Sequence, residues 1–126
     1  MGDGPTRCRR ILLVEDSRDV ADSLALLLGV KGHEVRVAYD GLEALDAARA
    51  FRPDAVLLDI GLPELDGLHV ARRLRQEPGL AGLLLVTLSG YGTEDDYRRS
   101  QEAGCDAHLV KPVDPDVLLR MLAAGG

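Results

Sequence analysis

The chain has no tryptophan, three tyrosines and one phenylalanine, so aromatics make up only 3% of its 126 residues. A core without them must be built from leucine, valine, isoleucine and alanine, which favours helices packed on a sheet over an aromatic-rich β fold. The two cysteines, Cys8 and Cys105, lie far apart with no Cys-x-x-Cys pair and no adjacent histidine. That excludes a disulfide framework and a thiolate metal site, and reads as two reduced thiols. No apolar run approaches the roughly 18 residues that span a bilayer, and Met1 to Arg10 lacks the apolar core of a secretory signal. Strongly basic clusters are missing too: the net charge is −6, which argues against direct nucleic-acid binding. A cytoplasmic protein without membrane association is expected.

What remains is ordinary for one globular domain, with 46% hydrophobic and 29% charged residues. Gly2, Gly4 and Pro5 mark a flexible N-terminal tail, placed over 1–9, with a single domain over 10–124. Strand-like apolar runs cover Arg10–Glu15, Glu34–Tyr39, Ala55–Asp59, Leu83–Leu88 and Ala107–Val110. Helix-like segments alternate with them at Arg18–Val30, Gly41–Ala50, Leu68–Gln76, Glu94–Ala103 and Pro115–Ala123. Start signals agree with this phase. Asp40 with Glu43, and Thr93 with Asp96, have the spacing of capping boxes, and Asp114-Pro115 pairs an N-cap with a first-turn proline. Gly32 and Gly104 follow helical patterns where a left-handed residue is wanted. The unbroken runs Ala55–Leu58 and Leu83–Val86 suit strands covered on both faces. Five such units predict an α/β fold, a doubly wound five-stranded parallel sheet with five helices and right-handed crossovers.

Three of the strand-like runs end in charge. Ile11–Val14 leads into Glu15-Asp16, Ala55–Leu58 into Asp59, and His108–Val110 into Lys111-Pro112. If these strands are neighbours, three carboxylates and one ammonium meet at the carboxyl edge of the sheet, where ligands bind in open α/β folds. Like-charge pairs about 6 Å apart cost roughly 3 kcal/mol each at an effective dielectric near 20, so a cation is wanted among them. All-oxygen ligands with open positions suit Mg2+. Asp59 is then a candidate nucleophile toward phosphorus, with Lys111 able to neutralise phosphoryl oxygens. Ser89, ending Leu84–Leu88, adds a hydroxyl at the next strand end, followed by the loop Gly90-Tyr91-Gly92.

Together Leu13-Val14-Glu15-Asp16, Leu58-Asp59-Ile60-Gly61-Leu62-Pro63, Ser89-Gly90 and Val110-Lys111-Pro112 resemble the receiver domain of two-component response regulators. Both single-domain chemotaxis-type regulators and the receivers of hybrid histidine kinases are similar. The resemblance covers about Arg10 to Ala123 and implies a flavodoxin-like sheet of order 2-1-3-4-5 and a cis Lys111-Pro112 bond. It implies Asp59 as phosphoacceptor, Asp16 as a direct Mg2+ ligand, Glu15 as a ligand through water, and the Gly61 backbone carbonyl as a further ligand. Ser89 and Lys111 would hold the phosphoryl group. Ser89 and His108 would be switch residues, His108 standing where the family carries Tyr or Phe. The implied function is transfer of a phosphoryl group from a histidine kinase or histidine phosphotransfer protein, switching a surface formed by helix 4, strand 5 and helix 5.

Such a domain is no turnover enzyme beyond self-phosphorylation and slow self-dephosphorylation. Its downstream target is an unknown protein, and it is a monomer or a phosphorylation-dependent dimer; no output domain is expected in the chain. Tyr91, two after Ser89, is expected to shield the phosphoryl group and slow its loss. Two alternatives stand beside this: a phosphorylation-independent docking module, and an aspartyl phosphohydrolase, which would want a second Asp where Gly61 stands. His33 and His69 are expected at the surface, and Arg72, Arg73, Arg75, Arg98 and Arg99 on solvated helix faces.

Overall fold

A computed structural model describes residues 9–59, 67–80, 82–90 and 92–123. Five strands alternate with five helices: β1 Arg10–Val14, α1 Arg18–Val30, β2 Glu34–Ala38, α2 Gly41–Phe51, β3 Ala55–Asp59, α3 Gly67–Gln76, β4 Leu84–Ser89, α4 Glu94–Glu102, β5 Ala107–Val110 and α5 Pro115–Ala123. All pairings are parallel, in the order β2-β1-β3-β4-β5. This is the expected fold, with element ends shifted by a residue at several places.

The continuous apolar runs are explained by helices on both sides. Leu12, Val14, Val56, Leu58 and Leu85 face Ala44, Leu45, Ala71 and Leu74 of α2 and α3. Their strand neighbours Ile11, Leu13, Leu57, Val86 and Leu88 face Ala21, Leu28, Leu118 and Leu122 of α1 and α5. Alternate residues of one strand thus serve opposite cores, as the two-residue period of a strand requires. Burial of each large side chain contributes about 1.5–3 kcal/mol. β2 lies at the edge, and its Glu34 and Arg36 alternate outward while Val35 and Val37 are half-buried.

The helix boundaries follow capping chemistry. Ser17 caps α1, its hydroxyl accepting from the Val20 amide. Asp40 caps α2, its carboxylate accepting from the Glu43 amide at 2.8 Å. Glu43 reaches back to the amide of Tyr39, not to that of Asp40, so the expected box is displaced by one residue. Thr93 and Asp96 form the full reciprocal box at α4. Gly32 and Gly104 have φ of 95° and 98°, as expected, but α2 closes on the left-handed Arg52, at φ 56°, where the sequence offers no glycine. The Lys111-Pro112 bond is cis.

Three expectations change. His33 is buried, not exposed, because its Nδ1 accepts the backbone amide of Arg9 at 3.0 Å. Burial pushes the His33 imidazole below its usual value, with the nearby Arg9 charge adding to the effect. Arg9, assigned to the tail, is itself buried and donates through Nε to the Leu122 carbonyl at 2.6 Å. Arg75 is no solvated arginine: it donates to the carbonyls of Gly104 and Leu83, both at 2.7 Å, and to the Asp106 carboxylate at 2.8 Å. It therefore ties α3 to the starts of β4 and β5. Arg72, Arg73, Arg98, Arg99 and His69 are exposed as expected.

Candidate functional site at the carboxyl edge of the sheet

Register decides which side chains meet. Val14 pairs with Leu58, so the next residues, Glu15 and Asp59, lie level at the ends of β1 and β3. Asp59 pairs with Leu88 and Ser89 with Val110, so Ser89 and then Lys111 each project one residue further. The Lys111 amide donates to the Ser89 carbonyl at 2.7 Å and extends the β4–β5 ladder up to the site. Three charge-ending runs, separate in sequence, are thereby brought to one edge.

One carboxylate oxygen from each of Glu15, Asp16 and Asp59 lies within 4.8 Å of the others. Among the described residues this is the group of three acidic, histidine or cysteine side chains close enough to hold one ion. Lys111 Nζ lies 3.2 Å from Asp59 Oδ2 and 3.3 Å from Glu15 Oε1. Glu15 and Asp59 are buried while Asp16 is exposed, so the cluster has a closed floor and one open side. Ser89 is buried at the end of β4. The Ser17 amide donates to Glu15 Oε2 at 3.2 Å, so the cap of α1 also fixes the Glu15 side chain.

The electrostatics are those of crowded anions with too few cations. Burial pushes the Glu15 carboxyl above its ordinary value and the charge of Asp59 adds to this, while the Ser17 amide and Lys111 oppose it. Burial alone would depress Lys111, but Asp59 and Glu15 outweigh it and hold its ammonium above the usual lysine value. Three carboxylates against one ammonium leave a net negative pocket of oxygen ligands, which fits a hard divalent cation that keeps part of its water shell.

The structure thus brings together Glu15, Asp16, Asp59 and Lys111, with Ser89 at the adjoining strand end. Gly61 and Tyr91 lie outside the described residues. His108 stands two residues below the site on β5, buried, with Nδ1 3.0 Å from Thr87 Oγ1. Sequence reasoning passed over Thr87 and Ser100, whose hydroxyls lie 2.6 Å apart. The signal was there: Thr87 is a hydroxyl inside the otherwise apolar run Leu84–Leu88. Also unforeseen is a groove of about 550 Å³ beside the site, floored by Val20, Leu24, Leu27, Leu88 and Val113 and rimmed by Lys111.

A doubly wound parallel sheet with an acidic cluster and a lysine at its carboxyl edge defines a class of phosphoryl-accepting signalling domain. The match to known proteins is specific. Residues 11–123 fit the family model described as the response regulator receiver domain, and the chain belongs to that family. Response regulator MprA of Mycobacterium avium is 39% identical over 115 residues, covering 91% of this chain and 50% of its own length. The chain therefore spans about half the length of the curated relatives it matches. Chemotaxis protein CheY4 of Vibrio cholerae superimposes with a TM-score of 0.87 at 27% identity, covering 92% of this chain and 97% of that one. The signal receiver domain of a signal transduction histidine kinase from Syntrophus aciditrophicus gives 0.82 at 31% identity, covering 94% and 92%. This is a receiver domain of two-component signalling, a family whose members act with histidine kinases or phosphotransfer proteins. Among the described residues no helix is long and apolar enough to cross a membrane.

Proposed function

We propose that Asp59 is the phosphoacceptor of this domain, taking a phosphoryl group from a phosphohistidine on a histidine kinase or phosphotransfer protein. The observation that carries this is the convergence of Glu15, Asp16 and Asp59 within 4.8 Å, with Lys111 3.2 Å from Asp59. The Asp59 carboxylate attacks phosphorus, an oxygen–phosphorus bond forms, and the phosphorus–nitrogen bond of the donor breaks with its electron pair passing to the imidazole. Lys111 follows the transferred oxygens and offsets their charge, and the Ser89 hydroxyl donates to another. The open side at Asp16 admits the donor side chain, and the apolar groove against α1 gives the donor protein a surface to lie on.

Glu15, Asp16 and Asp59, with the Gly61 carbonyl, are the residues we assign to Mg2+. The ion, when bound, neutralises charge on the reacting phosphoryl group. Gly61 stands where an aspartyl phosphohydrolase would carry its second Asp, which supports a switch over a turnover enzyme. Its output is assigned to the α4–β5–α5 surface, where Tyr97 and Val110 are exposed. A cytoplasmic location and a monomer, or a dimer formed on phosphorylation, complete the reading.

Labelling by a small phosphodonor such as acetyl phosphate tests it. Label is expected only with Mg2+ and only in the native chain; label persisting in Asp59→Asn would move the acceptor elsewhere.

A further inference from the structure

α4 differs from the other four helices. Its sequence, Glu94–Glu102, offers no apolar stripe, and Ser100 is its one buried residue. α1 and α5 bury two residues each, and α2 and α3 bury five each, all of them apolar or glycine. Most helical stability in proteins comes from packing an apolar face, so α4 is held by something else. Its Thr93–Asp96 box acts only within its own first turn.

The attachment is polar. Ser100 Oγ lies 2.6 Å from Thr87 Oγ1 of β4, and Thr87 Oγ1 lies 3.0 Å from His108 Nδ1 of β5. Thr87 Oγ1 also donates to the Ala107 carbonyl at 3.2 Å. One turn before Ser100, Tyr97 rests against His108, ring centroids 4.8 Å apart and planes at 68°. Thr87 and Ser100 are almost fully buried and His108 nearly so. Buried hydroxyls left unpaired cost about 1–3 kcal/mol each, so this chain of side chains holds together as a unit.

Its position matters. Thr87 and His108 are directly paired across β4 and β5, and the next pair on the same side is Ser89 with Val110, just before Lys111. The hydroxyl and ammonium assigned to the phosphoryl group thus stand on the same two strands, one pair above the chain that reaches α4. A single Thr87 proton also has alternative acceptors, the Ala107 carbonyl, His108 Nδ1 and Ser100 Oγ, so the chain has more than one discrete hydrogen arrangement.

We propose that the Ser100–Thr87–His108 chain is the latch that seats α4 on the sheet, and that occupancy of the acidic site reaches α4 through it. The transmission half rests on the function proposed above; the latch half does not. His108 is a positioning residue here, acting through Thr87 and Tyr97.

Nuclear magnetic resonance on the full chain, with beryllofluoride and Mg2+ as the probe, tests both halves. In the native protein the amides of Asp59, Ser89 and Lys111 and those of Glu94–Glu102 should all shift. In Thr87→Val, which keeps the shape and removes the hydroxyl, the site amides should still shift while the α4 response drops by about half or more. Without the probe, α4 amides should exchange with solvent up to about tenfold faster in this variant, the effect of losing one net hydrogen bond. Thr87→Ser should restore both. A full α4 response in Thr87→Val overturns transmission, and unchanged α4 exchange overturns the latch. Should Thr87→Val not fold, Ser100→Ala cuts the same chain from the helix side and is read the same way. A native protein whose site amides ignore beryllofluoride refutes the phosphoacceptor reading and transmission with it; the latch is then judged by hydrogen exchange.

Discussion

The Asp59→Asn substitution should make the domain more stable when no divalent ion is present. Asp59 lies within 4.8 Å of two like charges, Glu15 and Asp16, and 3.2 Å from one opposite charge, Lys111. At an effective dielectric near 20, each repulsion at that distance costs about 3.5 kcal/mol and the attraction returns about 5 kcal/mol, leaving about 2 kcal/mol unfavourable. The exposure of Asp16 and added salt reduce this to about 1 kcal/mol. The amide side chain keeps the shape of the carboxylate and removes its charge, so at low ionic strength in a chelator Tm should rise by about 4 °C. Mg2+ at ten times its dissociation constant should stabilise the native chain by about 1.4 kcal/mol and the variant far less. Thermal unfolding with and without Mg2+ measures both quantities. An Asp59→Asn variant melting below the native chain in chelator would show that the carboxylates are not in electrostatic conflict, and the argument for a cation among them would fall.

Other consequences can be checked separately. Lys111→Met removes the ammonium that competes for Asp59 and Glu15, so Mg2+ should bind roughly tenfold tighter while phosphoryl uptake falls; weaker Mg2+ binding in a calorimetric titration would contradict this. Arg75→Met leaves the carbonyls of Gly104 and Leu83 without their arginine donor, while Asp106 keeps the Leu85 amide, and should cost about 1–3 kcal/mol in urea unfolding; a loss under about 0.5 kcal/mol would mean the arginine is dispensable. His33 has a depressed folded value, so its contribution is present above the ordinary histidine value of about 6.5 and is lost as pH falls through the folded value. Stability measured from about pH 7.5 down to 5.5 should therefore fall more steeply in the native chain than in His33→Gln; parallel curves would remove His33 from the account.

Much of this could be read before any coordinates, and the reasons are local. Ala55–Leu58 is apolar without a break because both faces of β3 are covered, and a run of that kind ending in Asp59 announces a central strand with a charged tip. The caps at Asp40 and Thr93 fixed the phase even for α4, which has no apolar stripe to find. What stayed hidden depends on partners distant in sequence. His33 is buried because the Arg9 amide, 24 residues earlier, needs an acceptor. Arg75 looks like one of a surface series with Arg72 and Arg73, but folding places Gly104 and Asp106 within its reach. The acidic residues were legible because charge at a strand end stands out from the run before it. Thr87 offered a weaker signal, one hydroxyl within an apolar strand, whose meaning comes from Ser100 and His108 within hydrogen-bond reach.

The buried bond from Arg9 to the Leu122 carbonyl closes the first strand onto the last helix. Strands run toward the acidic edge and helices run back, so both ends of the domain leave from the far pole, a strand length of roughly 17 Å away. A tag or fusion joined beyond β1 or α5 therefore starts from the pole opposite the acidic edge. Contact between a module joined there and the reacting atoms would require its linker to cross the length of the sheet.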